Sequence, residues 1–249
     1  GGITQGTVVA SGASLELQGG ISVGAEPLTV SGNGFAGGGA LRNKSGNNVF
    51  GGLMTLGANA RVVSDSGTLT LSNPGNVTGS GLTLTVSGSG NVLIGSVIAT
   101  GSGALVKEGS GTVTLAAGNT FSGGATVKAG ALQIGNGGAS GTVTGSLIVE
   151  SGAKLVVMRN NAYSFAANLS GAGALEHSGT GVTTFSGMNS AFSGPITLSA
   201  GTVVLGAADS LGSGTLSFGG GTLRWASGSS TDLSARFASV PVSYTHLRA

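Results

Sequence analysis

The stretch "GSGTVTLAAGNTFSGGATVKAGALQI", residues 109–134, alternates valine, leucine and isoleucine with threonine, glutamine and other small residues. Alternation with a period of two places the apolar side chains on one face of a β-strand. Glycine, serine and asparagine end each short run, and the whole stretch holds a single charged residue, Lys128. It therefore predicts several short β-strands that are separated by glycine-rich turns.

The rest of the chain shares this composition. Of its 249 residues, 51 are glycine, 7% are charged, 4% are aromatic and none is cysteine. Valine, leucine and isoleucine recur throughout and the formal net charge is only +2, which disfavours intrinsic disorder. Glycine does not recur at every third position, as collagen requires. No apolar run approaches the roughly 18 residues that a transmembrane helix needs. The composition is therefore that of a chain with enough apolar surface to fold.

The same alternation predicts further strands along the chain, and no convincing helical period competes with it. The clearest lie at residues 68–71, 82–86, 112–115, 146–150 and 154–158, where β-branched residues are flanked by glycine, serine or asparagine. Residues 163–171 could form a helical turn but more readily continue the strands. The predicted fold class is all-β.

A longer repeat selects among the all-β architectures. Strands recurring about every 10 to 13 residues fit a sandwich, a barrel or a β-solenoid. Residues 101–134, however, recur as residues 171–205 with Ala191 inserted, and this self-similarity is typical of a solenoid whose coils stack on one another. We therefore predict a parallel β-solenoid with coils of about 20 to 25 residues, about ten or eleven coils, and a length on the order of 50 Å.

The repeat also resembles a known family. Its pattern is Gly-x-Gly-Ala-Leu-x-x-x-Gly-x-Gly-Thr-x-Thr-Leu, followed by Asn-Thr-Phe-Ser-Gly-Gly-x-Thr-Val-x-x-Gly-x-Leu. This closely resembles the passenger-associated β-strand repeat of bacterial autotransporters. Residues 101–134 match it well, and residues 171–205 match more loosely, with Phe185 in place of leucine and Pro195 in place of the second glycine. Residues 39–71 also resemble passenger sequence, so the resemblance covers most of residues 1–241.

The resemblance implies a right-handed parallel β-helix that is exported to the bacterial cell surface or beyond it. It implies an outer-membrane β-barrel translocator as a partner, together with host or cell-surface glycans or proteins. The absence of cysteine is compatible with export. The ten basic and eight acidic residues are scattered singly, so no nucleic-acid partner is expected.

The two ends of the chain suggest a piece of a longer protein. It begins Gly1-Gly2 without methionine, and we expect residues 1–241 to belong to a single β-helical passenger domain. Residues 242–249, "VSYTHLRA", break the glycine-rich pattern and resemble the translated adapter of a sequencing library. We therefore interpret them as an artefactual tail.

Residues that carry catalytic chemistry are sparse. His177 is the only histidine before the tail, and its neighbour Glu176 should point to the opposite face of a strand. The glycines of residues 32–37 match a dinucleotide-binding pattern, but no helical pattern follows them. With no cysteine and a single histidine before the tail, the sequence lacks the ligands of a zinc site, and its three aspartates are too few for repeated calcium sites. We expect no catalytic residue, no cofactor and no metal site.

Several polar residues are predicted to face solvent. His177 aligns with Lys107 in the repeat, and we interpret both positions as solvent-facing. The charges that we interpret as discouraging edge-to-edge association are Lys107, Lys128, Lys154 and Arg61.

The aromatic residues are mostly assigned to the core. Phe121 and Phe192 occupy matching repeat positions and are predicted to pack at a coil corner rather than to stack on a ligand. Trp225, beside Arg224, is predicted to be a core or capping residue, with a contact role as the alternative.

Three functional hypotheses follow. The leading one is a structural stalk or adhesin-like passenger region without catalysis. The second is a carbohydrate-active β-helix enzyme, a polysaccharide lyase or hydrolase, which would need Glu108, Glu150 and Glu176 to converge on one face. The third is a self-associating glycine-rich fibre protein.

Overall fold

The computed structural model describes residues 6–206, 209–228 and 231–238, which form short β-strands joined by tight turns. The first strands are β1 Thr7–Val9, β2 Leu15–Gln18, β3 Ser22–Val23, β4 Leu28–Gly32, β5 Leu41–Ser45, β6 Asn48–Phe50, β7 Met54–Ser64, β8 Thr68–Leu71, β9 Asn76–Val77, β10 Leu84–Ser87, β11 Asn91–Ile94, β12 Val97–Ile98 and β13 Leu105–Lys107. The others are β14 Thr112–Leu115, β15 Ala125–Val127, β16 Ala131–Ile134, β17 Leu147–Val149, β18 Lys154–Val157, β19 Ala162–Phe165, β20 Leu169–Ser170, β21 Ala174–His177, β22 Val182–Phe185, β23 Ile196–Leu198, β24 Thr202–Leu205, β25 Leu216–Phe218 and β26 Thr222–Trp225. Within these residues the helical segments are two 3₁₀ turns, Phe35–Gly37 and Ser234–Arg236, which confirms the all-β prediction.

The strands stack into three faces of a parallel solenoid. Face 1 runs β1-β4-β7-β10-β13-β15-β17-β20, with β5 pairing β7 and β2 pairing β5. Face 2 runs β3-β6-β8-β11-β14-β16-β18-β21-β23-β25, and face 3 consists of the pair β9-β12 and the group β19-β22-β24-β26. About ten turns are thus stacked, as predicted; at about 4.8 Å per turn the stack is about 50 Å long. The right-handed winding stays a prediction.

The register keeps the same side-chain face inward from coil to coil. On face 2, Leu69 pairs with Val92 and, further along the stack, Leu155 pairs with Leu175, and all four are buried. Such columns merge into one continuous apolar core. Each coil alone buries little, so stacking supplies the apolar burial that stabilises the fold.

The two sequence repeats lie on different faces. In the first, β13 belongs to face 1 and β14 to face 2, whereas in the second the corresponding strands β21 and β22 belong to faces 2 and 3. The repeat therefore recurs one face further round the solenoid. The same residues serve equally well on either face because the corners between the faces are built alike.

Two of the predicted segments have distinct outcomes. Residues 163–171, which could have formed a helical turn, instead contribute to β19 and β20, as favoured by the sequence. Residues 242–249, the predicted tail, lie outside the described residues.

The turns need glycine where adjacent coils touch. Gly130 and Gly201, at matching repeat positions, have φ of +65° and +60°. A Cβ at Gly130 would overlap the carbonyl oxygen of Gly111 in the coil beneath, and one at Gly201 would overlap that of Gly179. Left-handed backbone and close approach thus coincide, and glycine alone satisfies both.

We expect Gly130→Ala to lower the free energy of unfolding by at least about 2 kcal/mol, because it combines left-handed strain with displacement of the coil beneath. Gly137→Ala is the matched control, since Gly137 has φ of +76° but a Cβ there would meet no other part of the chain within 4 Å. The control should lower the free energy of unfolding by about 1 kcal/mol, because only the left-handed backbone strain applies there. Urea unfolding followed by circular dichroism measures both; equal losses would show that contact between coils does not restrict this position.

Candidate functional site

Lys107 ends β13 with its side chain inside the solenoid. The residue is 1% exposed and lies in a column between Val86 and Val127. Its ammonium donates hydrogen bonds to the carbonyl oxygens of Glu108 (2.7 Å), Gly109 (2.6 Å) and Ala129 (3.1 Å). Burial lowers its pKa from 10.5 to about 8, against the attraction of the Glu108 carboxylate. The prediction of a solvent-facing lysine is wrong, because carbonyl groups of two coils replace water at this corner.

His177 occupies the matching position of the second repeat and is also buried. It is 0% exposed and pairs in register with Val157 and Leu198. Its Nδ1 lies 2.9 Å from the Ala200 carbonyl oxygen, and its Nε2 lies 2.9 Å from Thr183 Oγ1. Since a carbonyl only accepts, Nδ1–H donates to Ala200, and Nε2 of the neutral ring accepts from the Thr183 hydroxyl. The prediction of an exposed histidine is wrong.

We expect acid to destabilise the fold through His177. Burial lowers the pKa of this imidazole, against the hydrogen bond to Ala200, so the unfolded chain takes up a proton before the folded chain does. Stability should therefore fall as the pH drops below about 6.5. Urea unfolding at about pH 7.5 and about pH 5 measures this loss. His177→Leu, which suits the aliphatic column, should show a smaller loss; identical losses would contradict the assignment.

Asn119 connects three coils through its buried side-chain amide. Its Oδ1 accepts a hydrogen bond from the Ile98 backbone N–H (2.8 Å) in the preceding coil, and its Nδ2 donates to the Thr142 carbonyl (2.9 Å) in the following coil. Asn189 makes the equivalent hydrogen bonds: its Oδ1 accepts from the Leu169 backbone N–H (2.6 Å), and its Nδ2 donates to the Ser210 carbonyl oxygen (2.5 Å). Each repeat thus contains one buried asparagine, Asn119 or Asn189, that is hydrogen-bonded to the coils on both sides; we call these two side chains the asparagine staples.

The aromatic residues near these corners are where the sequence predicted them. Phe121 and Phe192 are fully buried, which confirms their core assignment. Trp225 pairs with Leu205 in register, packs partly against the core and donates its indole N–H to the Thr231 carbonyl (2.9 Å). These rings are therefore occupied by packing rather than arranged as a stacking platform.

The exposed charges pair with one another across coils. On face 1, Glu108 forms ion pairs with Arg61 and with Lys128 (3.1 Å). On face 2, Lys154 pairs with Glu176 (3.0 Å). Lys128, Lys154 and Arg61 therefore lie at the surface as predicted. Lys128 and Lys154 each pair with the adjacent coil, whereas Arg61 reaches Glu108 two coils away.

The three acids that a lyase or hydrolase would need do not converge. Glu108 and Glu150 follow β13 and β17 on face 1, whereas Glu176 lies in β21 on face 2. Partial burial would raise the pKa of Glu108, but its pairs with Lys128 and Arg61 outweigh this and hold the pKa below its ordinary value. The hydrogen bond from Lys154 likewise lowers the pKa of Glu176. A general acid for glycoside cleavage needs a raised pKa, so neither of these two carboxyls suits that role.

Two open grooves run along the outside of the stack. The first, of about 420 Å³, crosses face 2 and is lined by Thr68, Asn91, Val92, Leu93, Thr112, Thr114, Gln133, Asn136 and Met158. The second, of about 620 Å³, is lined by Gly118, Asn119, Thr142, Val143, Thr144, Gly145, Ser146, Tyr163, Ser164, Ala166, Ala167 and Asn168. Tyr163 is the ionisable side chain of these linings, and burial raises its pKa. Neither groove combines a general acid with a general base.

Clustered metal ligands and membrane-spanning helices are both absent from the described part of the chain. Residues 6–206, 209–228 and 231–238 hold no group of three or more histidine, cysteine, aspartate or glutamate side chains that could bind a metal ion. No helix in the same residues is long and apolar enough to cross a membrane.

Comparison with known proteins agrees with the repeats found in the sequence. The family of the passenger-associated transport repeat matches residues 105–134 and 175–205, where the sequence predicted the repeats. The chain is 37% identical over 83 residues to the adhesin BmaC autotransporter of Brucella suis biovar 1 (strain 1330). That match covers 32% of this chain and 2% of the relative, so the chain spans a small part of that protein's length. No solved structure matches the chain.

The fold and the buried corner residues define a parallel β-solenoid whose coils are held together by polar groups inside as well as by apolar packing. With two passenger-associated transport repeats and distant homology to an autotransporter adhesin, the chain is a β-helical repeat region of the autotransporter passenger type.

Proposed function

We propose that this chain is a stalk-forming, adhesin-like part of an autotransporter passenger, which presents a binding surface without catalysing a reaction. The observation that carries the proposal is the unbroken register of face 2, where ten strands stack in parallel. A continuous stack of this kind is a stiff rod, because each coil is hydrogen-bonded to its neighbours along its faces.

The proposed location and partners rest on the type of protein. We place the rod at the bacterial cell surface, carried there by an outer-membrane β-barrel translocator, with proteins or glycans of a host or a neighbouring cell as its targets. The related adhesin supports this proposal.

The distribution of charge supports a binding role over catalysis. The acids Glu108 and Glu176 are each paired with a cation, and the corner cation Lys107 is enclosed by carbonyl groups. These groups are engaged in holding coils together. Catalysis would need titratable groups that converge on a groove with pKa values suited to proton transfer.

Removal of one whole coil tests the stalk. Leu84 pairs with Ala60 on one side and with Leu105 on the other, so deletion of residues 84–104 would bring Ala60 opposite Leu105 with every face still in register. We expect the shortened passenger, displayed on bacteria through its translocator, to reach the surface and to adhere to cultured epithelial cells as the parent does. Its outer end should stand about 5 Å closer to the membrane, measured by energy transfer.

Deletion of residues 84–94 is the matched control. It removes about half a coil, places the following strands out of register and should prevent surface display. Adhesion that disappears with residues 84–104, although display is normal, would contradict a stalk role for that coil.

A further inference from the structure

Residues 33–39 form a loop that is inserted into an otherwise regular coil. Leu15 pairs with Leu41, 26 residues further along the chain, whereas in a regular coil Leu105 pairs with Ala125, 20 residues further along. Insertions into solenoid coils project as surface loops on one face, which is often the binding face. The additional residues are not needed for the coils to stack, so the insertion has another role.

The loop is held closed at its neck. The Gly39 N–H donates to the Asn33 carbonyl oxygen at 2.8 Å. The Ser14 hydroxyl, which precedes β2, accepts from the Phe35 N–H (2.8 Å) and donates to the Gly39 carbonyl (2.7 Å). A Cβ at Gly34 would overlap the backbone of Gly39, so the two sides of the neck touch. The loop is thus organised before any partner arrives.

The loop presents one large apolar side chain to solvent. Phe35 is 71% exposed, and the next residue, Ala36, has φ of +49°. Among the described residues, Ala36 is the one non-glycine residue with a left-handed backbone. A strained residue beside an exposed aromatic ring is a combination that stability alone disfavours, and it is typical of functional positions.

The charges beside the loop balance one another. A Cβ on Gly38 would lie 2.8 Å from Nη1 of Arg42, so Arg42 adjoins the loop. Arg42 pairs with Glu16 (3.2 Å) and with Asp65 (2.8 Å), and Lys44 lies 3.9 Å from Asp65. Two cations and two anions thus form a rim without excess charge.

We propose that Phe35 is the anchor by which this loop docks into an apolar pocket of a partner protein; this inference rests on the adhesin-like role proposed above. An anionic membrane or a polyanion would be recognised by surplus basic charge, which the rim lacks. A glycan would need free side-chain hydrogen-bonding groups beside the ring, whereas Arg42, Glu16 and Asp65 are paired with one another and the ring is followed by alanine and two glycines. A rigid aromatic ring with a polar rim is the usual anchor of a protein–protein contact.

Binding of protein-coated fluorescent beads to cultured epithelial cells tests this proposal. We expect beads that carry the wild-type chain to bind, and Phe35→Ala to reduce binding at least about tenfold. Ser14→Ala, which keeps the ring but removes both side-chain bonds at the neck, should reduce binding several-fold. Met188→Ala is the matched control, because Met188 is 78% exposed but lies in a distant coil; it should bind as the wild type does.

Treatment of the target distinguishes the partner classes. Protease treatment of the epithelial cells should abolish bead binding, glycosidase treatment should leave it unchanged, and vesicles of phosphatidylcholine and phosphatidylserine should bind no beads. Four results would each overturn the proposal. The first two are wild-type beads that fail to bind the cells and Phe35→Ala beads that bind them normally. The other two are loss of bead binding after glycosidase treatment and binding of the beads to vesicles in a way that Phe35→Ala removes. The stalk test by coil deletion leaves residues 33–39 intact, so the two proposals can fail separately.

Discussion

Replacement of Asn119 by alanine is expected to lower the free energy of unfolding by about 2 to 4 kcal/mol. The substitution would leave the Ile98 N–H and the Thr142 carbonyl in the corner without the partner that now joins them across three coils. A buried polar group without a partner costs about 1 to 3 kcal/mol. Asn189→Ala should cost a similar amount, because Asn189 makes the equivalent bonds one face further round.

Asn91→Ala is the matched control for this prediction. Asn91 is exposed, and its side chain accepts one hydrogen bond, from the Thr112 N–H at 3.0 Å. Its loss should cost less than about 1 kcal/mol, since water replaces the amide. Urea unfolding followed by circular dichroism compares the three variants. If Asn119→Ala and Asn189→Ala lower the free energy of unfolding no more than Asn91→Ala does, the two buried asparagines do not hold the coils together.

The second large effect is a rise in stability at alkaline pH that is caused by Lys107. The pKa of this ammonium is about 8 in the folded protein, against 10.5 for an ordinary lysine. Between these values the unfolded chain holds a proton that the folded chain has released, so stability rises with pH. The full shift corresponds to about 3 kcal/mol, of which about 2 kcal/mol should be present by about pH 9.5.

Lys107→Met isolates this contribution, because methionine suits the column between Val86 and Val127 but does not titrate. The difference in unfolding free energy between wild type and Lys107→Met should shift towards the wild type by about 2 kcal/mol from about pH 7.5 to about pH 9.5. Lys128→Met, which alters a surface lysine, should keep the wild-type pH dependence. A constant difference for Lys107→Met would show that the buried amine does not titrate in this range.

The solenoid could be predicted because short segments of the sequence contain the patterns that produce it. Alternation in segments such as 112–115 indicates strands, and the repeated glycines indicate corners where the coils touch. The spacing of the two repeats along the chain also predicts that the second lies on a different face from the first. Leu105 and Leu175 are 70 residues apart, about three and one-third coils of about 21 residues, which moves the motif by one of three faces.

The buried corner residues were missed because side-chain polarity was weighed above position. Lys107 follows Leu105 by two residues and His177 follows Leu175 by two, so alternation places both inside. Carbonyl groups of the next coil, which no local pattern reveals, make that burial tolerable. The exposure of Phe35 was equally hidden, because the closure of its loop depends on Ser14 from an earlier part of the chain.

Distances between spin labels along face 2 test the stacked rod most directly. The natural chain has no cysteine, so Thr70→Cys, Thr114→Cys and Thr197→Cys would place labels on one outward column. Thr70 and Thr197 are six strand spacings apart and Thr114 and Thr197 are four, which correspond to about 29 Å and about 19 Å between backbone positions. The account predicts two narrow distributions whose mean distances differ by two strand spacings. Broad distributions, or equal distances for the two pairs, would contradict a rigid parallel stack.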